Sequence, residues 1–388
     1  MSLSIILDNP DGVFYSGQAV TGRVQVDVQN ELKVTAINFI AKGQANVHWQ
    51  EGSRQRTRHY YGHEKYFHDK LCLFGKLQTG VNSVKLAAGH YSYPFSVQLP
   101  PNLPSSYEGS SGHVRYSIKA HIDIPWAFDK YTKRMLTVID PLDLNTVPSA
   151  QAGASNSGQK RLCCLCCKSD PISATVTVDR TGYVPGEYIN FRAEVNNQSN
   201  RTMTCTKAKL MMEITYHAAS KSMKVYHRLT KLKHGELKGG DTDVWMNEKL
   251  HVPPVPPSFM RGCSIIDIKY FVMIIADPSG VGFDLWVPLD VVIGSIPLAS
   301  VAEQHGFSLP TQTQFDVPPP PVGAPQGLFT DTSIPTNNPQ VSLSESAMGR
   351  VKIKEGKKGS GTVDYAPVYT YYNWDKPDVD SMFTVQRQ

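Results

Sequence analysis

The sequence predicts an all-β protein: two tandem immunoglobulin-like β-sandwich domains followed by a disordered C-terminal tail. Three observations carry this. Apolar and polar residues alternate with a period of two through most of the first three-quarters of the chain; the pattern and its turns occur twice; and the alternation stops after about Leu298.

In the first domain, assigned to residues 1–146, Val20, Val24, Val26 and Val28 alternate with Thr21, Arg23, Gln25 and Asp27. Tyr93, Phe95, Val97 and Leu99 repeat the pattern, and Val114, Tyr116, Ile118, Ala120, Ile122 and Ile124 interleave with polar residues. Such runs bury one face of an antiparallel strand and leave the other in water. Asp11-Gly12, Ser16-Gly17, Pro100-Pro101, Gly109 and Gly112 separate the strands at sandwich-like intervals.

The plan then restarts. Gly182-Tyr183-Val184-Pro185-Gly186-Glu187 leads into Ile189, Phe191, Ala193 and Val195, as Gly12 to Gln18 leads into the Val20 strand. Ile268-Lys269-Tyr270 echoes Val114-Arg115-Tyr116, and a proline-led bend precedes each, at Leu99 to Pro104 and at Val252 to Pro257. The second domain is placed at residues 169–298, after a linker at 147–168 that is rich in Ala, Ser, Gly and Gln between Ser149 and Gln159. From residue 299 to 388 the polar and Pro/Gly-rich composition predicts disorder, with short linear motifs as its readable content.

Composition narrows the function classes. A hydrophobic share of 40% supports real cores, and a net charge of +5 spread over 388 residues does not single out nucleic acid. The N-terminus turns polar at Asp8, too soon for a secretory signal, and the apolar run near Tyr270 to Ala276 is far too short to span a bilayer. Four of the seven cysteines cluster at Cys163, Cys164, Cys166 and Cys167, unlike a disulfide framework. A cytoplasmic protein is expected.

No nucleophile elbow, phosphate loop or dinucleotide fingerprint is present, and no enzyme, cofactor or metal site is expected. His59, His63 and His68 miss zinc-ligand spacing and read as solvent-facing residues. Arg54, Arg56 and Arg58 share one side of a strand; they read as a solvated edge, with a phosphoinositide or phospho-cargo contact as the alternative. The cysteine cluster admits three readings. Its thiols are small apolar residues entering a strand, acylation sites beside Lys160, Arg161 and Lys168, or half of a zinc site with no second half in the sequence.

Two tail segments carry partner signals. Pro318-Pro319-Pro320-Pro321 is expected in polyproline II, a preformed ligand for aromatic grooves. Ala366-Pro367-Val368-Tyr369 comes one residue short of Pro-Pro-x-Tyr, the WW-domain ligand, with Ala366 at the first proline position and Pro367 and Tyr369 retained.

With these residues in view, the chain resembles the α-arrestins, the arrestin-domain-containing proteins, over roughly Leu7 to Leu298. The resemblance rests on Gly12 to Gly22; on Trp49, Glu51, Tyr66 and Phe67; and on Gly89-His90-Tyr91-Ser92-Tyr93-Pro94-Phe95 through Leu99-Pro100. It continues with Cys166-Cys167 before Ile172-Ser173-Ala174, Gly182 to Glu187 with Ile189, and Tyr270 through Pro288-Leu289 to Ile293-Gly294. It implies two arrestin-type sandwiches and an adaptor that links membrane receptors or transporters, as cargo, to a WW-containing HECT ubiquitin ligase and to endocytic sorting, at the plasma membrane or endosomes. The chain departs from that family in lacking an intact Pro-Pro-x-Tyr, so an arrestin-fold scaffold without direct ligase recruitment is the alternative.

Overall fold

The computed structural model describes residues 1–53, 56–75, 83–126, 129–161, 170–279, 284–306, 340–354 and 362–374. The first domain runs through β1 (Ser2–Leu7), β2 (Val13–Tyr15), β3 (Ala19–Val28), β4 (Leu32–Val34), β5 (Ala36–Ser53) and β6 (Arg56–Gly75). It continues with β7 (Val84–Leu86), β8 (Gly89–Gln98), β9 (Tyr107–Glu108), β10 (Gly112–Asp123) and β11 (Lys130–Ile139). One sheet has the order β1-β3-β8 and the facing one β2-β11-β10-β5-β6, with β9 added beside β10. The alternation reads out as expected: Val20, Val24, Val26, Val114, Tyr116, Ile118, Ala120 and Ile122 are all buried.

The second domain comprises β12 (Ala154–Lys160), β13 (Ile172–Val178), β14 (Gly182–Tyr183), β15 (Tyr188–Asn197) and β16 (Met203–Ala218). β17 (Lys221–Lys233), β18 (Thr242–His251), β19 (Ile266–Pro278) and β20 (Leu285–Ile293) complete it. Its sheets have the orders β12-β13-β15-β18 and β14-β20-β19-β16-β17.

The internal repeat extends to individual hydrogen bonds. The Tyr116 hydroxyl donates to the Pro104 carbonyl at 2.6 Å, and the Tyr270 hydroxyl donates to the Pro256 carbonyl at 2.7 Å. Two residues beyond each proline, a serine hydroxyl accepts from the last long strand of its own sandwich: Val138 N–H to Ser106 Oγ and Ile293 N–H to Ser258 Oγ, both 2.9 Å. β2 lies parallel to β11 as β14 lies parallel to β20. A buried tyrosine must hand its hydroxyl proton to some acceptor. Both domains solve this with a carbonyl freed by the proline-led bend.

Two boundaries differ from the sequence reading. The stretch 147–168 is not all linker, because β12 pairs residue for residue with β13, from Ala154↔Val178 to Lys160↔Ile172. Its Ser, Asn and Gln residues are the polar side chains of an exposed edge strand, which mimics linker composition. Nor is the region after Leu298 structureless throughout. It contains α1 (Ala299–Gln304) and four strands, β21 (Val341–Glu345), β22 (Val351–Lys354), β23 (Thr362–Tyr365) and β24 (Val368–Tyr372). β21 pairs with β24, and β22 with β23.

Candidate functional site

Residues 340–354 and 362–374, which carry β21 to β24, form a segment that returns to the seam between the two sandwiches. The domains also touch directly: the Tyr107 and Tyr216 hydroxyls are 2.9 Å apart, Arg261 Nε lies 2.8 Å from Asp140 Oδ2, and Ser264 N–H donates to Glu64 Oε1 at 3.1 Å. Burial pushes the Asp140 carboxyl above the ordinary carboxylate range, against the opposing pull of Arg261.

Three tyrosines fasten the segment, each by donating its hydroxyl proton to a main-chain carbonyl. Tyr365 reaches Leu136 O at 3.0 Å, Tyr369 reaches Ser106 O at 2.8 Å, and Tyr372 reaches Ser295 O at 2.8 Å. The first two acceptors belong to the first domain and the third follows β20 of the second, so the segment bridges both. Main-chain bonds reinforce it: Tyr372 N–H to Pro185 O at 3.0 Å and Ala347 N–H to Pro254 O at 2.8 Å. Val341 and Tyr372 join a small core with Leu144, Ala150, Val184 and Leu298, while Leu343 and Val368 pack on Val13, Tyr15 and Ile139. Gly186 makes room, since a Cβ there would lie 2.0 Å from Tyr372 O.

Burial keeps all three tyrosines protonated. It raises Tyr365 to about 12 and lifts Tyr369 and Tyr372 well above the ordinary phenol value. Beneath the segment lies the Glu108 carboxylate, held by Arg115 through two bonds of 2.6 and 2.8 Å. Desolvation nevertheless moves the Glu108 pKa upward. Its charge adds to the pressure against ionising Tyr369 and Tyr365.

The sequence-predicted residues fall differently from the expectation of an exposed linear motif. Tyr369 is 2% exposed. Pro367 is buried and its carbonyl accepts from Ser346 N–H at 2.8 Å, and Ala366 is half-buried. In this structure these side chains face the seam and are not displayed. The sequence reading overlooked Tyr365 and Tyr372. The available signal was aromatic density: Tyr365, Tyr369, Tyr371, Tyr372 and Trp374 crowd into ten positions, whereas disordered segments are poor in such residues.

Pro318, Pro319, Pro320 and Pro321, the cysteines Cys163, Cys164, Cys166 and Cys167, and Arg54 lie outside the described residues. Arg56 and Arg58 are exposed near the tip of the β5–β6 hairpin, where Arg58 stands opposite Glu51. His63 Nδ1 lies 2.8 Å from Asn46 Oδ1, and His68 stands opposite Lys42. Among the described residues no group of three or more His, Cys, Asp or Glu is placed to hold a metal, and no helix is long and apolar enough to cross a membrane.

Residues 3–145 match the family model described as the arrestin (or S-antigen) N-terminal domain, and residues 168–298 match that of the C-terminal domain. The chain belongs to the arrestin family. Among its relatives is arrestin domain-containing protein 17 of Caenorhabditis elegans, 30% identical over 336 residues, covering 81% of this chain and 77% of that one. Human arrestin domain-containing protein 4 is 28% identical over 324 residues, with coverage of 81% and 76%. Thioredoxin-interacting protein of Sus scrofa is 30% identical over 299 residues, with coverage of 76% and 74%. These relatives place the arrestin module on the α-arrestin branch. The matched domain models end at residue 298, so the strapping segment lies beyond both of them.

Proposed function

We propose that this chain is a trafficking adaptor that holds a membrane receptor or transporter on its two-sandwich module and links it to ubiquitination and endocytic sorting. Membership of the arrestin family supports the adaptor part. Sandwich edges and loops present broad surfaces, and the bonds across the seam let the two domains act as one body.

The burial of Tyr369 supports one form of this reading over the other. A WW groove grips the proline and tyrosine side chains that the seam already holds. The docked chain is therefore a scaffold without standing ligase recruitment, and coupling to a HECT ligase requires the segment to leave the seam. The experiment compares ligase WW domains binding to a peptide spanning Val363 to Trp374 and to the full chain. Micromolar binding of the peptide, lost in Tyr369→Ala and at least tenfold weaker for the full chain, supports the reading. A peptide that does not bind removes ligase coupling through this motif and leaves the scaffold alone.

Peripheral membrane attachment belongs to the same proposal. The cysteine-bearing connection leaves β12 at Lys160 and rejoins β13 at Ile172, with basic residues on its flanks. Acylation there would add hydrophobic anchoring to electrostatic attraction. Acyl-exchange labelling of the cellular protein, lost when all four clustered cysteines are serine, is the expected result.

A further inference from the structure

We propose that the interdomain seam is a peptide-binding site that reads tyrosine hydroxyls at positions i, i+4 and i+7 of an extended segment, and that the chain's own residues 340–354 and 362–374 are its resident, exchangeable ligand. The inference does not depend on ligase recruitment. It rests on what each side of the contact is made of.

The receiving side is supplied wholly by the two domains. Leu136 O, Ser106 O and Ser295 O are acceptors on three separate parts of the sandwiches, and each takes one tyrosine proton. Ser106 and Ser295 are themselves fixed: their hydroxyls accept from Val138 N–H and Leu142 N–H, at 2.9 and 2.8 Å. Thr137 Oγ1 takes a further proton from Val368 N–H at 3.3 Å, and Pro185 O takes that of Tyr372. The acceptors are thus held in place by the domains' own hydrogen bonds, independent of the occupant.

The occupying side behaves as a tethered peptide. Among the described residues its strands β21 to β24 pair only with one another and extend none of the sandwich sheets. The two described ends of the segment meet at His305: Gln340 Nε2 donates to His305 O at 3.3 Å, and the Trp374 ring packs on His305 with centroids 4.6 Å apart. A docked segment of this kind competes with any segment of the same chemistry in proportion to effective concentration.

The chemistry also sets what is refused. Each hydroxyl acts as a donor to a carbonyl, and Glu108 adds negative charge near Tyr365 and Tyr369. A phosphate on Tyr369 would present only charge and acceptors to an acceptor, and would clash with that field. The ligand class is a non-phosphorylated, tyrosine-bearing extended peptide.

The test uses the full chain with a site-specific protease sequence placed within 307–339. After cleavage, a fluorescent peptide of residues 340–374 is added and its uptake is followed by anisotropy, alongside hydrogen exchange of 362–374 in uncut chain given excess peptide. Expected are uptake with displacement of the severed fragment, at least a hundredfold loss when Tyr365, Tyr369 and Tyr372 of the peptide are all alanine, and no uptake of the Tyr369-phosphorylated peptide. The proposal is overturned if the cut protein takes up no peptide, whether or not it keeps its fragment. It is equally overturned if the tyrosine-free or phosphorylated peptide binds as well as the native one.

Discussion

Replacing Tyr369 by alanine removes one of the two most deeply set fasteners of the seam, the other being Tyr372. The side chain is 2% exposed, and its hydroxyl bonds to Ser106 O at 2.8 Å. Truncating a buried aromatic ring typically costs about 3–5 kcal/mol. Because the segment can undock while both sandwiches stay folded, that loss falls on the docking equilibrium. The ratio of docked to undocked chain should drop on the order of a hundred- to a few-thousand-fold. Tyr369→Phe keeps the ring and leaves Ser106 O unpaired, which costs about 1–2 kcal/mol, or roughly five- to thirtyfold. Limited proteolysis measures this directly, since cleavage of a transiently opened segment follows the open population when reclosing is fast. Cleavage within 362–374 should accelerate strongly for the alanine variant and modestly for the phenylalanine variant, with the sandwich domains equally resistant in all three proteins. Equal rates for Tyr369→Ala and the unchanged chain would refute the reasoning.

Other outcomes follow from the same geometry. Gly186→Ala places a methyl at a φ of +98° and 2.0 Å from Tyr372 O, so the segment should release while the first domain keeps its melting behaviour, as seen by hydrogen exchange. Arg115→Ala leaves the buried Glu108 carboxylate unpaired and should cost about 3–5 kcal/mol at pH 7 by denaturant unfolding. Glu108 already has a raised pKa, so protonation relieves that penalty, and the deficit should shrink as pH falls through the folded-state value. For Tyr365, with a folded pKa of about 12 against an ordinary 10.0, docking is fully supported below pH 10. It should weaken by up to about 1.4 kcal/mol per pH unit above that, and exchange in 362–365 should show it. Lys209↔Lys231 and Lys207↔Lys233 are like charges directly opposite one another on β16 and β17. Lys231→Glu should therefore stabilise the second domain by roughly 0.2–1 kcal/mol in thermal unfolding.

The sandwiches were legible because a period-two pattern has few other structural meanings. Val114 to Ile122 could bury one face only as a strand, and the Tyr116–Tyr270 echo marked a repeat that the structure repeats down to the proline carbonyl. β12 was hidden because Ser155, Asn156, Ser157 and Gln159 are as polar as a linker, and pairing with β13 is a property of the partner strand. The seam was hidden for a related reason. The local motif presents Tyr369 as half of a WW ligand, whereas the acceptor of its hydroxyl, Ser106 O, lies 263 positions away. No local pattern records Ser106 O or Pro185 O as acceptors. Gly186 was visible only as part of a turn motif, and its closeness to Tyr372 O follows from tertiary packing.

The central claim, that residues 340–354 and 362–374 dock in the seam of the intact chain, is tested most directly by hydrogen exchange on the unmodified full-length protein. Docking predicts slow exchange at Ala347, Val368 and Tyr372, whose N–H groups donate to Pro254 O, Thr137 Oγ1 and Pro185 O. Exchange at these positions at the rate of an unstructured peptide, with the sandwich strands still protected, would contradict it.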